Sequence, residues 1–388
     1  MKPIPYSRQN VTQEDIDEVL KVLKSDFLTQ GPVIKEFEDE FSKLTGSKYA
    51  VAVSSGTAAL HLSALALGVK PGDKIITTPI TFVASANCIR YCGGEIEFVD
   101  IDPVTYTLDF EKVKKLLESK PNGTYKGIVV VDFAGYPVNL EKFRMLADEY
   151  GLWILEDACH SPGGYFIDSK GEKRICGNGR YADLSIFSFH PVKHIAAGEG
   201  GMITTNNPDF FEKISRLRTH GIERIPDKLS RNDGLWYYEM TDLGFNYRIT
   251  DIQCALAKNQ LRRLDESIQI RHEIAERYIK AFENTDLILP LINGNFLHSL
   301  HLFVIQTKKR NELFQFLRNN NIFTQIHYIP VHFMPYYKDM GWKVGDFPVA
   351  ENYYKNCLSI PMFPSLVSNE QNFVIEKITE FVQTKTSK

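Results

Sequence analysis

Short apolar runs alternate with stretches of helical periodicity along the first half of the chain. The runs have the length and apolar content of strands buried within a sheet. They predict strands at residues 49–53, 74–78, 96–100, 128–132, 152–155, 184–189 and 202–205. Elsewhere, apolar positions recur every three or four residues, as on the buried face of a helix. They predict helices at residues 33–44, 57–67, 109–119, 140–150, 250–282, 311–319 and 373–382, with others beginning near Thr12 and Phe82.

This alternation of strands and helices predicts an α/β fold with a mostly parallel sheet covered by helices on both faces. In such a sheet, functional residues collect at the carboxyl ends of the strands. The pattern changes after residue 205, and the long helix at 250–282 leads to further strands at 300–307 and 324–329. We therefore predict a large domain at 1–250, including an N-terminal arm, and a smaller domain at 251–388.

The segment RYADLSIFSFHPVKHIAAGEGGMITT, residues 180–205, carries the strongest chemical signal. Lys193 lies between two predicted strands, close to Gly198, Gly200 and Gly201. Glycines allow close backbone approach, and a lysine beside them could hold an aldehyde cofactor as a Schiff base. An isolated lysine here would be interpreted as a solvated loop residue. Because Ser188 and the glycines accompany it, we predict that Lys193 carries pyridoxal phosphate (PLP).

A second motif, SSGTAAL, follows the strand at 49–53 and opens a helix. The first amides of a helix are free to bind an anion, so Gly56 and Thr57 could hold a phosphate together with Ser188. Asn246 could add a donor from a neighbouring subunit. The motif alone is equally consistent with a helix cap after a glycine turn.

Three further residues fit a pyridine ring. Asp157 ends a predicted strand, and its carboxylate could keep the ring nitrogen protonated. His160 could brace that carboxylate or the cofactor, and Phe82 could stack on the ring. Taken singly, each also has an ordinary structural interpretation: a strand-end acid that caps a loop, a satisfied histidine and a core phenylalanine.

In this order, the motifs resemble those of the fold type I aminotransferases of the DegT/StrS type, which act on nucleotide sugars. The resemblance is carried by SSGTAAL, TPITFVASAN, EDACHS, FSFHPVKHIAAGEGG and LGFNYRITDIQCALAKNQL. It implies a fold type I PLP-dependent transferase with a smaller α+β C-terminal domain. It also implies PLP as the cofactor and a homodimer with shared active sites.

The resemblance also implies roles for individual residues. Lys193 would form the Schiff base and move protons, Asp157 would pair with the ring nitrogen, and Phe82 would stack on the ring. The phosphate would be held by Gly56, Thr57, Ser188 and, from the second subunit, Asn246. Family members differ at the position of His160, so its role stays open. The sugar nucleotide would be bound by Tyr6, Asp26, Phe27, Leu28, Thr29, Gln325, Ile326, His327 and Tyr328, with His332 as a further candidate.

The segments IPYSRQ, LTQGP, WYYEMTDLGFNYRITD and HYIPVHFMPYY resemble one group within the family. Its members aminate carbon 4 of a UDP-linked 4-keto-6-deoxy-N-acetyl sugar in pseudaminic acid synthesis, with L-glutamate as donor. One alternative is the same reaction on a GDP- or dTDP-linked sugar of the perosamine or viosamine type. Another is a non-catalytic sugar-sensing protein. Lys193 and Asp157 favour an enzyme, and some relatives with histidine in place of the lysine are dehydratases.

The charge and composition of the chain limit the classes of partner that we expect it to bind. The formal net charge of −3 offers no basic surface for nucleic acid or membranes. No apolar run approaches the roughly 20 residues that span a bilayer, and MKPIPYSRQN lacks the apolar core of a signal peptide. The six cysteines show neither a C-x-x-C pair nor zinc-like spacing. We therefore expect a cytoplasmic protein without a metal site.

Overall fold

The computed structural model of the protein describes residues 2–231, 233–292 and 294–384. The strands are β1 (Ile4–Pro5), β2 (Tyr49–Val53), β3 (Lys74–Thr77), β4 (Glu95–Phe98), β5 (Gly127–Val131), β6 (Trp153–Asp157), β7 (Tyr165–Ile167), β8 (Lys173–Ile175), β9 (Leu184–Ser188), β10 (Gly201–Thr205), β11 (Ile222–Glu223), β12 (Glu239–Met240), β13 (Phe296–Leu297), β14 (Phe303–Gln306), β15 (Ile322–Phe323) and β16 (Cys357–Ile360).

The α-helices follow most of the helical periodicity of the sequence. They are α1 (Gln13–Leu23), α2 (Pro32–Thr45), α3 (Gly56–Ala66), α4 (Ala84–Tyr91), α5 (Phe110–Glu118), α6 (Leu140–Tyr150), α7 (Pro208–Leu217), α8 (Asp251–Leu261), α9 (Leu264–Phe282), α10 (Arg310–Asn319), α11 (Pro335–Lys338), α12 (Pro348–Asn356) and α13 (Ser368–Thr384).

The central sheet has the strand order β2-β10-β9-β6-β5-β3-β4. Strands β9, β6, β5, β3 and β4 pair in parallel, whereas β10 runs antiparallel to both β9 and β2. The prediction of an α/β fold with a mostly parallel sheet is confirmed. The parallel arrangement brings the ends of β6 and β9 to one edge of the sheet, which is where the chemistry-bearing residues follow.

Helices cover both faces of this sheet, because alternate strand residues point to opposite sides. Leu155 and Ile186 belong to a core that includes residues of α3, α4 and α7. On the other side, Phe187 and Met202 pack with residues of α2 and α8, and Ile154 packs with residues of α5 and α6. Strands buried on both faces explain why the sequence shows continuous apolar runs rather than alternation.

The C-terminal part has its own core, built from α9, α10, α13 and the antiparallel pair β14–β16. The N-terminal arm belongs to this core as well, because Ile4 is fully buried there and β1 pairs in parallel with β15. The arm therefore carries Tyr6 from the beginning of the chain towards the C-terminal elements. None of the helices in the described residues has the length and apolar character needed to cross a bilayer.

Two sequence predictions about secondary structure were wrong, and one small sheet was missed. The predicted helix at 250–282 is interrupted at Arg262 and Arg263, which separate α8 from α9. The predicted strand at 324–329 is irregular: its backbone makes one bridge, Gln325 to Ser359. Instead of a regular series of backbone hydrogen bonds between strands, this segment is held by tertiary hydrogen bonds. One of them runs from the Tyr353 hydroxyl to the His327 carbonyl. The sheet β13-β7-β8 was missed because its strands are too short to show a period.

Candidate active site

A cavity of about 420 Å³ opens where β6, β9 and the start of α3 meet. It collects most of the residues that the sequence singled out. The predicted site residues on its walls are Tyr6, Gly56, Thr57, Phe82, Asp157, His160, Ser188, Lys193, His327 and Tyr328. They come from six separate parts of the chain. All the predicted cofactor residues except Asn246, and part of the predicted sugar site, therefore face one space.

Asp157 is the last residue of β6 and is almost fully buried. Its Oδ2 accepts a 2.6 Å hydrogen bond from the Ser85 hydroxyl, and its Oδ1 accepts one of 3.2 Å from the Cys159 amide. Ser85 is held in turn by Thr81, with 2.7 Å between the two hydroxyl oxygens. These bonds orient the carboxylate and leave it lone pairs for a further donor.

Lys193 lies in the loop between β9 and β10. A turn from the Lys193 amide to the His190 carbonyl (2.8 Å) and a bond from the Ser7 hydroxyl to the Val192 carbonyl (3.2 Å) hold this loop. Burial lowers the pKa of the Lys193 amine, and Cys159 and Asp157 act against that shift. The neutral amine, which is the nucleophilic form, is thus more populated than for a lysine in water.

The start of α3 forms an anion site. The Ser55 hydroxyl caps the helix by accepting from the Ala58 amide at 3.0 Å. The amides of Gly56 and Thr57 belong to the first turn of α3, where a backbone amide has no carbonyl partner within the helix. A Cβ atom on Gly56 would lie 2.9 Å from the Ser188 Cβ, and one on Gly201 would lie 2.5 Å from the Ser55 carbonyl oxygen. Glycine at both positions therefore leaves room for an anion beside the Gly56 and Thr57 amides and Ser188, which together we call the phosphate cradle.

His160 is buried and hydrogen-bonded at both ring nitrogens. Its Nδ1 accepts from the Ala134 amide at 3.2 Å, so the proton of the neutral ring is on Nε2. Nε2 lies 3.2 Å from the Tyr328 hydroxyl oxygen. Burial, assisted by Lys193 and two other histidines, holds the pKa of His160 well below its usual value. A neutral His160 that donates to Tyr328 leaves the phenolic hydrogen of Tyr328 free for a ligand.

Phe82 stands at the cavity mouth just before α4. Its side chain is 57% exposed, unlike that of a core phenylalanine, and its ring centre lies 6.2 Å from that of Tyr328. An exposed aromatic ring at a cavity wall is suited to stacking on a planar ligand. The interpretation of Phe82 as a core residue is therefore wrong.

Other predicted residues lie elsewhere in the described chain. Asp26, Phe27, Leu28 and Thr29 are exposed in the α1–α2 loop, where the Leu28 carbonyl accepts from the Asp251 amide. Asn246 is exposed and bridges to Thr219.

The remaining predicted sugar-site residues also lie off the cavity wall. Gln325 is exposed, and Ile326 packs against the C-terminal core. His332 is fully buried, and its Nε2 lies 3.2 Å from Glu351 Oε1, so this nitrogen is engaged within the fold.

Sequence reasoning missed several residues of the site. Ser85 orients Asp157, Ser55 caps α3, and His301 and Glu199 line the cavity. Ser85 had a detectable signal, because it lies three residues after Phe82 within the motif TPITFVASAN. His301 had none, because it lies beyond α9, far from the other motifs.

The residues present fit PLP. The free amides of Gly56 and Thr57 with the Ser188 hydroxyl match a phosphate, and the open cradle at Gly56 admits it. Asp157 offers a buried carboxylate for a protonated ring nitrogen, and Lys193 offers an amine on the same cavity. The donor set thus covers the phosphate, the ring nitrogen and the aldehyde of the cofactor.

Gly56→Ala is expected to weaken PLP binding about tenfold or more and to lower the free energy of unfolding by about 1–3 kcal/mol, because the new methyl group collides with Ser188. Equilibrium dialysis of PLP and denaturant unfolding of the apoprotein would measure the two effects. Ser63→Ala, on the same helix but outside the cavity, is the control and should keep its affinity. An unchanged affinity in Gly56→Ala would contradict the assignment of the cradle.

Comparison with known proteins agrees with this chemistry. Residues 9–379 match the model of the DegT/DnrJ/EryC1/StrS aminotransferase family. The chain is 38% identical over 389 residues to the spore coat polysaccharide biosynthesis protein SpsC of Bacillus subtilis, covering 98% of this chain and 97% of that protein. It is 36% identical over 390 residues to the UDP-4-amino-4,6-dideoxy-N-acetyl-beta-L-altrosamine transaminase of Campylobacter jejuni, covering 98% of each chain.

Solved structures show the same fold. PseC of Helicobacter pylori, an aminotransferase of pseudaminic acid biosynthesis, superimposes with a TM-score of 0.88 at 28% identity, covering 99% of this chain and 100% of that one. The PLP form of the sugar aminotransferase Spr1654 of Streptococcus pneumoniae gives 0.88 at 26% identity, covering 98% and 99%. The same protein is also known in a PMP form. This chain therefore belongs to the DegT/DnrJ/EryC1/StrS aminotransferase family and is a PLP-dependent sugar aminotransferase.

Proposed function

We propose that the protein transfers the amino group of L-glutamate to carbon 4 of a UDP-linked 4-keto-6-deoxy-N-acetyl sugar, as in pseudaminic acid synthesis. The observation that carries this proposal is the similarity to the Campylobacter jejuni transaminase, which extends over 98% of both chains. An end-to-end match of this kind includes the segments proposed to bind the sugar nucleotide as well as the cofactor residues.

The cavity supports a sugar site beside Lys193. Tyr6 from the N-terminal arm and His327 from the C-terminal part meet there, with 5.2 Å between their ring centres. His327 Nδ1 lies 2.8 Å from the Ser359 hydroxyl, which fixes the ring and leaves Nε2 for a ligand. Burial, with a contribution from Lys193, lowers the pKa of His327 to about 3, so this histidine is neutral. Neutral donors and acceptors of this kind suit the hydroxyl and keto groups of a sugar.

The proposed mechanism assigns one task to each cofactor residue. When bound, PLP supplies an aldehyde that accepts amines and a ring that withdraws electrons from the neighbouring carbon. Lys193 Nζ, as a neutral amine, would take the proton from the carbon that bears the amino group of L-glutamate and carry protons between the substrate and cofactor carbons, so that carbon 4 of the sugar receives one in the second half-reaction. Asp157 holds a proton on the ring nitrogen throughout. The Gly56 and Thr57 amides with Ser188 anchor the phosphate, so the reacting atoms stay within reach of Lys193.

We extend the proposal to a homodimer with shared sites. Asn246 is exposed and outside this chain's cavity, as expected of a residue that reaches a partner's phosphate site. The neighbouring segment exposes Leu235, Trp236, Met240 and Leu243, and clustered apolar exposure of this kind is typical of an interface. The loop at 26–29 would contact the nucleotide. The division into a large domain at 1–250 and a small one at 251–388 is retained as part of this proposal.

A panel of keto sugar nucleotides tests the substrate. With L-glutamate as donor, we expect kcat/KM for the UDP-linked N-acetyl sugar to exceed that for the GDP- and dTDP-linked keto sugars by at least about tenfold, because a site built for one set of polar groups rejects analogues that leave them unpaired. Formation of amino sugar would be followed chromatographically. Preference for a GDP or dTDP sugar would replace the proposed substrate with the perosamine or viosamine type. Absence of turnover across the panel would refute the proposal.

A further inference from the structure

A second, smaller cavity borders Lys193. It measures about 260 Å³ and lies among the N-terminal arm, α8 and α9. Lys193 is on the wall of this cavity and of the larger one, and the adjacent His194 lines the smaller one. The two spaces therefore share the reactive lysine, although the sugar and cofactor residues described above lie in the larger one.

The lining of the second cavity is rich in guanidinium groups. Arg8, Arg263 and Arg271 line it, against one carboxylate, that of Glu266. Arg263 is paired with Asp15 at 2.6 Å. Arg8 is exposed and lies over the Phe363 ring at 5.4 Å. The excess of cationic groups in one small space favours an anionic ligand.

Arg271 carries the strongest indication. It is 1% exposed, and its Nη1 donates to the carbonyls of Leu300 (3.0 Å) and Met362 (3.1 Å). Within the described ranges, no carboxylate lies within ion-pair distance of it. Burial lowers the pKa of Arg271 to about 9, which reflects the cost of an uncompensated charge. A buried cation without an anion is costly unless a ligand supplies the counter-charge.

Several polar atoms of the lining also lack partners. Arg271 Nε is buried and has no hydrogen-bond partner in the part of the chain that the structure describes. His194 Nδ1 also lacks one, but His194 Nε2 donates to the Ser299 carbonyl at 2.7 Å, so Nδ1 of the neutral ring is an acceptor and not a donor. The Ser267 hydroxyl and Arg263 Nε are also buried and lack a hydrogen-bond partner there. Arg263, Ser267 and Arg271 all line the second cavity. Unsatisfied buried donors on the residues around one cavity favour a polar ligand there.

We propose that this second cavity binds a small carboxylate, with the arginines and Ser267 holding the carboxyl group. Ile270 and Pro364 form an apolar part of the lining. They suit the methylene carbons of a dicarboxylate, whereas an inorganic phosphate would have nothing to place there. The volume is too small for a nucleotide sugar beside these side chains.

Binding there would influence the reaction through Lys193. A carboxylate in the second cavity would place negative charge beside the amine and favour its protonated form, which cannot remove a proton. Amino donors and the keto acids they become are small carboxylates, so an excess of either would slow turnover without competing for the cofactor cavity. This inference does not depend on which sugar nucleotide the enzyme uses.

Glutarate is the probe, because it has two carboxylates but no amino or keto group to react. Calorimetric titration of the holoenzyme should show glutarate binding that weakens about tenfold or more in Arg8→Gln and in Ser267→Asp. The first substitution removes a cation, and the second places a competing carboxylate in the cavity. Arg318→Gln is the matched control, since Arg318 is exposed and lies over the Phe323 ring at 5.2 Å. It should bind glutarate as the parent does.

Two results would overturn the inference. Absence of glutarate binding would mean that water alone satisfies the orphaned donors. Affinity within about twofold of the parent in both Arg8→Gln and Ser267→Asp would place glutarate in the cofactor cavity instead. Far-ultraviolet circular dichroism and the cofactor absorption band of each variant establish that the fold and the main cavity are intact.

Discussion

Lys193→Ala is expected to reduce glutamate-dependent amination by at least about 10⁴-fold, because both the covalent attachment point and the proton-transferring group are lost. The half-buried amine lines the cavity at the ends of β6 and β9. The measurement is amino-sugar formation from keto sugar nucleotide under saturating glutamate. The visible absorption of the PLP-loaded parent should be altered in the variant. Borohydride should label Lys193 in the parent and label nothing at this position in the variant.

The control for this experiment is Lys170→Ala, which removes an exposed lysine from the β7–β8 loop and should keep parental activity. A small primary amine added to Lys193→Ala should restore part of the rate, since it can enter the space left by the side chain. Such rescue would not repair a misfolded protein, so it separates chemistry from structure. Parental activity in Lys193→Ala would refute the assignment.

Asp157→Asn is expected to lower kcat by about 10²–10³-fold, the effect of removing one partner of a buried charge pair. Asparagine keeps the size of the side chain, and its oxygen can still accept from Ser85 or Cys159. It cannot hold a proton on the ring nitrogen, so the electron-withdrawing power of the cofactor falls. The kcat should fall more than the KM for the sugar nucleotide changes. Steady-state kinetics with each substrate varied in turn would separate the two.

Two further variants serve as controls for Asp157→Asn. Ser85→Ala removes one hydrogen bond to the Asp157 carboxylate but leaves its charge, so we expect a loss of about tenfold or less. Asp148→Asn removes an exposed carboxylate that pairs with Arg144 and should leave kcat unchanged. If Asp157→Asn retains kcat within about threefold of the parent, the carboxylate does not act on the cofactor ring.

The cofactor side of the cavity was largely predictable from the chain. Lys193, Asp157 and Ser188 each follow or end an apolar run, and such runs become buried strands whose carboxyl ends meet. Gly56 and Thr57 open a helix directly after a strand, which is a local signal. Once the order of the strands in the sheet is known, the proximity of these side chains follows.

The sugar side was predictable from family resemblance and hardly at all from periodicity. Tyr328 bonds His160 across 168 positions of sequence, and Ser7 reaches Val192 across 185. No local pattern reports such contacts. His332 and the loop at 26–29 carry the same kinds of residues as the cavity wall, yet they lie outside it in this chain.

The amino-acid sequence by itself determined the α/β alternation, the strand ends that carry Lys193 and Asp157, and the glycines of the phosphate cradle. These features depend on the spacing of apolar residues and on residue chemistry within short segments. A strand that is buried on both faces, for example, appears as a continuous apolar run. Only the tertiary structure decided that the helix after residue 250 breaks at Arg262, and that Tyr6, His327 and Tyr328 meet at Lys193. It also decided that Arg271 is buried beside a second cavity. Those outcomes depend on packing between segments that are far apart in the sequence. Which side chains meet in this way is determined by the whole fold and not by any local pattern.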